Sequence, residues 1–231
     1  MRIVSICSGG LDSVAYTARY VKEGHEVHIL MFDYGQKCQQ ELLAVQEIFE
    51  GKVVEIRKVD ITFIKELFGK TQLTDDSIKV EGEYTDSIVV PNRNTLFILV
   101  AVIYAQSINA DRVILGSHAD DVAIINNDFA FPDCDSRFFE LLENTLRAGH
   151  FKKAKRVEIF SPSREGIGKV ELIKMGYKYL GAELFKTYSC YLNEEKQCGK
   201  CNSCVNRKKA FELSGIKDLT KYKKQNGKYI T

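Results

Sequence analysis

Two groups of residues in this chain can carry chemistry, and the first is the run Ser8-Gly9-Gly10-Leu11-Asp12-Ser13 near the amino end. An apolar segment, RIVSIC, leads into it, and a helix-like segment, VAYTARYVKEG, follows. A strand that ends in Ser-Gly-Gly and feeds a helix aims backbone N–H groups at the space above the helix start, where the helix dipole adds positive potential. That cup suits an anion. Gly9 and Gly10 let the backbone turn tightly and approach the ligand, while the Ser8 and Ser13 hydroxyls can donate to phosphate oxygens. Asp12 then needs a reason to be there. It fits either as a first-turn residue stabilised by the dipole or as a carboxylate that holds Mg²⁺ against a polyphosphate. Neither GxxxxGK[ST] nor GxGxxG is present, which excludes the P-loop and the dinucleotide fingerprint.

The second group is Cys190, Cys198, Cys201 and Cys204, spaced C-x7-C-x2-C-x2-C. Thiolates this close in sequence can share one tetrahedral Zn²⁺, and four of them close its coordination sphere, so the site reads as structural. An iron–sulfur cluster is the competing use of the same ligands. Of the other cysteines, Cys7 reads as a small core hydrophobe at a strand end, and Cys38 and Cys134 receive no catalytic role.

Apolar strands alternating with helices must position these groups. RIVSIC, HEVHILMFDYG, VVEIRKVD, RVILGS and RVEIFSP read as strands. Helices are predicted over the segment after the glycine turn up to Gly24, around 41–49, 61–68, 92–108 and 137–148, and from Lys169 onward. The pattern predicts a parallel sheet covered on both faces, with ligands at the carboxyl ends of the strands. Residues 69–91 are polar and acidic without a period and read as a surface loop near the site. From about residue 184 the composition turns to cysteine and lysine.

The chain has 231 residues, enough for one substantial core, and 33 Lys+Arg against 31 Asp+Glu leave a formal charge of +2. That balance announces no polyanion partner, although Arg207, Lys208, Lys209, Lys221, Lys223, Lys224 and Lys228 give the tail a basic face, read as solvated or, alternatively, as an RNA-binding surface. The longest apolar run, 95–105, is shorter than the roughly 18 residues of a membrane span and reads as a buried helix. With no secretory leader at its amino end, a cytoplasmic protein is expected, and a homodimer is the default assembly.

SGGLDS resembles the pyrophosphate loop, SGGxDS, of the ATP pyrophosphatase superfamily, whose members cleave ATP between the α and β phosphates. FDYGQ at 32–36, VVPNRNTLF at 89–97, GSHADD at 116–121, FPDC at 131–134, GKVEL at 168–172 and the cysteine set narrow the resemblance to the 7-cyano-7-deazaguanine synthase family, over residues 2–212. Two positions depart from that family's bacterial branch, with Asp135 directly after PDC and Cys38 in the QK-Cys segment.

The resemblance implies a Rossmann-like, adenine nucleotide alpha hydrolase-like domain over residues 1–183 and a zinc-binding region over 184–231. It implies that 7-carboxy-7-deazaguanine is adenylated, aminated by ammonia, adenylated again and dehydrated to the nitrile, with ATP, Mg²⁺ and Zn²⁺ as cofactors and no need for a membrane or nucleic acid. Cys7, Ser8, Gly9, Gly10, Leu11, Asp12, Ser13, Asp33 and Gly116 are then expected to bind ATP. Asp12, Ser13, Lys169 and Arg93 are the expected catalytic set, since two anions brought together need cations. Arg93, Asn94, His118, Asp120, Asp121 and Asp133 are expected to bind the substrate, the carboxylates by matching adjacent N–H donors of the deazaguanine. A tRNA sulfurtransferase is the rival enzyme; it would require an exposed CxxC pair and a basic RNA surface.

Overall fold

The computed structural model describes residues 1–75, 77–78, 90–122, 124–125, 128–129, 131–151 and 153–223. Val89, most of the expected loop over 69–91, and Lys224 and Lys228 lie outside these residues. The chain runs β1 (Arg2–Ile6), α1 (Leu11–Lys22), β2 (Glu26–Asp33), α2 (Gln40–Phe49), β3 (Glu55–Asp60), α3 (Lys65–Phe68) and α4 (Arg93–Ser107). It continues with β4 (Arg112–Ile114), β5 (Ile124–Ile125), β6 (Asp128–Phe129), α5 (Ser136–Ala148), β7 (Glu158–Phe160), α6 (Lys169–Leu180) and α7 (Asn202–Ser214).

Five strands form one parallel sheet in the order β3-β2-β1-β4-β7. Alternate residues of each strand point to opposite faces, and both faces are apolar. On one, Ile3, Ile29 and Ile114 pack with α1, α6 and Phe211 of α7. On the other, Val4, Leu30, Val113 and Ile159 pack with Ile98 and Ala101 of α4 and Phe139 of α5. Burial on both faces explains why the strands read as continuous apolar runs. The apolar run over 95–105 is α4, and among the described residues no helix is long and apolar enough to cross a membrane.

Strand order reverses between β1 and β4, which opens a crevice at their carboxyl ends, the general ligand position in doubly wound sheets. The glycine turn follows β1 there, and Leu115-Gly116 follows β4. The β5–β6 hairpin and α7 were not anticipated, the first because two-residue strands leave no periodicity and the second because cysteine and lysine hide its buried face.

Arg207 shows that face. It is fully buried rather than part of a solvated basic tail, and it donates to Thr187 Oγ1 at 2.8 Å, Ser189 Oγ at 3.0 Å and Thr220 Oγ1 at 2.9 Å. Lys208 is likewise engaged, donating to the Gly199 carbonyl at 3.0 Å, and Lys223 pairs with Glu194 at 2.5 Å.

Candidate active site

The loop from Ser8 to Ser13 is built around one hydroxyl. Ser13 Oγ accepts from the Ser8 N–H at 3.2 Å and donates to the Gly10 carbonyl at 3.2 Å. Val14 N–H makes the first bond of α1, to Gly10 O at 3.1 Å, so the N–H groups of Leu11, Asp12 and Ser13 have no intrahelical acceptor. Gly10, Asp12 and Ser13 border the crevice there, with the helix dipole behind them.

Two close approaches depend on glycine. Gly9 sits at φ +93°, and a Cβ there would lie 1.7 Å from the Glu41 carbonyl oxygen at the start of α2. A Cβ on Gly116 would lie 2.6 Å from the Ser13 nitrogen. Gly9→Ala is therefore expected to cost at least about 2 kcal/mol by forcing backbone against backbone in a left-handed conformation. Urea unfolding measures it, and a loss within experimental error would contradict the packing of α2 on the loop.

Asp12 Oδ2 accepts from Lys169 Nζ at 2.9 Å, while Oδ1 is buried without a hydrogen-bond partner. Burial alone would raise the Asp12 pKa, but the charges of Lys169 and His118 outweigh it and hold the carboxyl below its ordinary value. It is thus a carboxylate with one oxygen committed and one open, and that open oxygen fits a divalent cation.

A cavity of about 390 Å³ rises from the loop. Cys7, Ser8, Gly10, Asp12, Ser13 and Gly116 line its floor; Arg93, Asn94, Asp121 and Asp133 line its walls with Tyr34, Phe97, Glu41 and Tyr191. Arg93 donates to the Tyr34 hydroxyl at 3.2 Å, lies over the Tyr34 ring at 5.3 Å from its centroid, and keeps its Nε without a partner.

Several sequence candidates have local partners instead. Asp33 pairs with Lys58 at 2.6 Å and accepts from the Gly35 N–H at 3.0 Å. Asp120 accepts from the Lys169 backbone N–H at 2.7 Å, which caps the start of α6 and so carries Lys169 toward Asp12. His118 is buried; its backbone N–H donates to Asp121 Oδ2 at 2.9 Å and its ring lies 3.4 Å from Asp121 Oδ1. Gly9 and Leu11 shape the loop from behind the lining.

Glu41, Tyr34 and Tyr191 were missed by sequence reasoning. Burial lifts the Glu41 pKa to about 8, with Arg93 pulling it partly back. A carboxyl whose folded pKa is raised binds more protons folded than unfolded, so the stability it costs appears as pH climbs from about 4.3 and is complete above about 8. Glu41→Gln is expected to melt higher than the wild type near pH 8 and nearly level with it near pH 4; equal melting at both would contradict this environment. Burial favours the neutral thiols: it raises Cys7, lifts Cys38 to about 11 with help from Glu41, and lifts Cys134 to about 12.

The four cysteines Cys190, Cys198, Cys201 and Cys204 are buried with their sulfurs all within 4.8 Å of one another. Cys198 and Cys204 Sγ are 3.9 Å apart, and Cys201 and Cys190 Sγ are 4.0 Å apart. A tetrahedral ion with metal–sulfur bonds of about 2.3 Å sets its sulfurs roughly 3.8 Å apart, so the set fits one metal ion; a multi-iron cluster places iron and sulfide between its thiolates and spreads them. Backbone N–H groups of Leu192 and Cys198 point at Cys190 Sγ at 3.4 Å. This knuckle rests on the glycine loop: the Tyr188 N–H donates to Gly9 O at 3.0 Å, and Cys190 and Tyr191 line the cavity.

A doubly wound parallel sheet with a glycine cup at its switch point defines a Rossmann-like, adenine nucleotide alpha hydrolase-like protein with a four-cysteine site that can hold a metal. A solved structure of NMN synthetase from Francisella tularensis shares the fold, with a TM-score of 0.51 at 17% identity over 94% of this chain and 77% of that one. The chain belongs to the queuosine biosynthesis protein QueC family, whose model matches residues 2–215. Relatives named 7-cyano-7-deazaguanine synthase include one from Pseudoalteromonas translucida, 35% identical over 225 residues covering 96% of this chain and 98% of the relative. Another, from Thermoplasma acidophilum, is 35% identical over 232 residues, covering 96% and 92%. The family is one of enzymes, and this chain is a member of it over nearly its whole length.

Proposed function

We propose that the chain converts 7-carboxy-7-deazaguanine and ammonia to 7-cyano-7-deazaguanine with two ATP cleavages, passing through an adenylated carboxylate, an amide and an adenylated amide. The observation that carries this reading is the continuity of one cavity from the glycine cup to the Arg93 chamber, so that an α-phosphate above the loop and a carboxylate beside Arg93 can meet. Carboxylate oxygen leaves poorly and AMP leaves well, which is why each activation is needed.

The residues divide the work. Gly9, Gly10 and the first-turn N–H groups of α1 receive the pyrophosphate, with Ser8 and Ser13 donating. Asp12 would hold Mg²⁺ through its unpartnered Oδ1, and the ion would supply charge neutralisation for the polyphosphate. Lys169 and Arg93 offset the charge that builds up as the α-phosphate is attacked. Asn94, Asp121 and Asp133 bind the deazaguanine beside the Tyr34, Phe97 and Tyr191 rings. His118 acts by orienting Asp121, Asp120 by orienting Lys169, and Asp33 by shaping the turn after β2. Residues 1–183 carry ATP and substrate, and 184–231 carry a structural zinc on Cys190, Cys198, Cys201 and Cys204. The substrates are free small molecules of the cytoplasm, and neither nucleic acid nor membrane takes part; a homodimer is the working assembly.

Incubating the purified protein with ATP, ammonia and the carboxy-deazaguanine tests this. AMP, pyrophosphate and the nitrile are expected. Release of ADP alone, or turnover only with tRNA and a sulfur donor, would overturn the proposal. Elemental analysis is expected to find about one zinc per chain, and a brown, iron-containing protein would overturn the metal assignment.

A further inference from the structure

Glu41 is the second residue of α2, and its backbone carbonyl packs against Gly9 at the apex of the phosphate loop. Its side chain lines the cavity together with Ser8, Asp12 and Arg93. The other carboxylates of that lining have other roles: Asp12 is paired with Lys169, Asp121 accepts from the His118 N–H, and Asp121 and Asp133 are the ones assigned to the deazaguanine. Among the described residues no hydrogen bond or ion pair holds the Glu41 carboxylate. Around it stand the Arg93 guanidinium, the Tyr34 and Tyr191 phenols and the Cys7 and Cys38 thiols.

The chemistry of the proposed reaction asks for a group of this kind. Ammonia is mostly ammonium at neutral pH, and ammonium has no lone pair with which to attack an acyl adenylate. We propose that Glu41 is the general base of the enzyme, binding ammonium beside the phosphate loop and taking protons from its nitrogen. This assignment rests on the reading of the chain as a nitrile-forming synthase.

The steps balance. Carboxylate Glu41 takes one proton from ammonium; the freed lone pair forms the C–N bond, the C–O bond to AMP breaks, and the surplus proton on nitrogen leaves to give the amide. After the amide oxygen is adenylated, the nitrogen gives up its remaining protons as the second C–O bond to AMP breaks and the C≡N bond forms. Each time the same nitrogen loses protons at the same place, so one base serves both stages, returning each proton to solvent in between.

The surroundings favour the task. Burial sets the Glu41 pKa near 8, so the group is a stronger base than an ordinary carboxylate and still ionised in part near neutral pH, the balance that makes a general base effective. The cavity's thiols are held protonated by burial, and Lys169 is committed to Asp12.

Glu41→Gln in the full-length, metal-loaded protein separates this role from a structural one. Pyrophosphate exchange with ATP and the carboxy-deazaguanine needs no nitrogen nucleophile and is expected to stay within about threefold of wild type. Nitrile formation from ammonium is expected to fall roughly 10²–10⁴-fold. Hydroxylamine, largely uncharged at neutral pH, needs no base before it attacks, and hydroxamate formation is expected within about fivefold of wild type. Loss of exchange in parallel with nitrile formation, undiminished turnover with ammonium, or equal losses with ammonium and hydroxylamine would each overturn the assignment. If the wild type itself shows no exchange with the carboxylate, the proposed function fails, and the base assignment fails with it.

Discussion

Asp12→Asn is expected to lower pyrophosphate exchange by roughly 10³-fold while leaving the fold intact, the scale of loss seen when one preorganised charge-stabilising group is removed. Asparagine keeps the size of the side chain but removes its charge. Lys169 Nζ, 2.9 Å from Oδ2, loses its ionic partner, and the buried, unpartnered Oδ1 loses the charge that suits it to a cation. Both effects act on the polyphosphate rather than on the core, since Asp12 contributes no apolar packing. Thermal melting within a few degrees of wild type is expected beside the lost exchange, in line with the usual small effect of substitutions outside the core. Lys169→Met should be similarly inactive, and the double variant little worse than either single one, because groups that act as a unit are not additive. Retained exchange in Asp12→Asn would remove Asp12 from the site.

Stripping the metal is expected to lower the melting temperature by 10 °C or more and to abolish activity in the same titration. Structural zinc supplies about 10–16 kcal/mol of apparent binding energy in small finger peptides. A loss of only about 4 kcal/mol lowers Tm by roughly 8–16 °C in a chain of this size. The apolar cluster of the knuckle is small, with Tyr188, Cys38 and the four ligands at its centre and Tyr191, Leu192 and Tyr222 packed around them, so the four sulfurs form much of what a metal would hold together. Activity goes with it because the Tyr188 bond to Gly9 and the Tyr191 wall both depend on that region. Cys201→Ser should reproduce the effect. Unchanged melting after chelation, with metal absence verified by elemental analysis, would contradict a structural role.

What the sequence made legible was local. The glycine turn and the cysteine spacing bring their residues together within a few positions, so type and spacing are enough to read them, and the alternation of apolar strands with helices implied the parallel sheet. The cavity walls were different. Glu41, Tyr34 and Tyr191 meet only because α2 packs on Gly9 and the metal knuckle packs on the loop, and no spacing encodes either contact. Asp33 and Asp120, which look like ligand carboxylates in a line of text, are drawn to Lys58 of the neighbouring strand and to the first N–H of α6. Arg207 read as part of a lysine-rich tail, although Cys204, Arg207 and Phe211 recur at three and four residues. That periodicity marks one buried face of α7 and was the available signal.

The bond from Tyr188 to Gly9 has a consequence for how the protein folds. The loop follows the strand at the centre of the sheet, yet the residue that fastens it lies 179 positions further along the chain. A contact between such distant positions costs loop-closure entropy and forms late. A chain that has formed the loop but not yet folded the cysteine segment would therefore hold the signature loop without its support, so the loop is expected to reach its final shape only after that segment has packed against it.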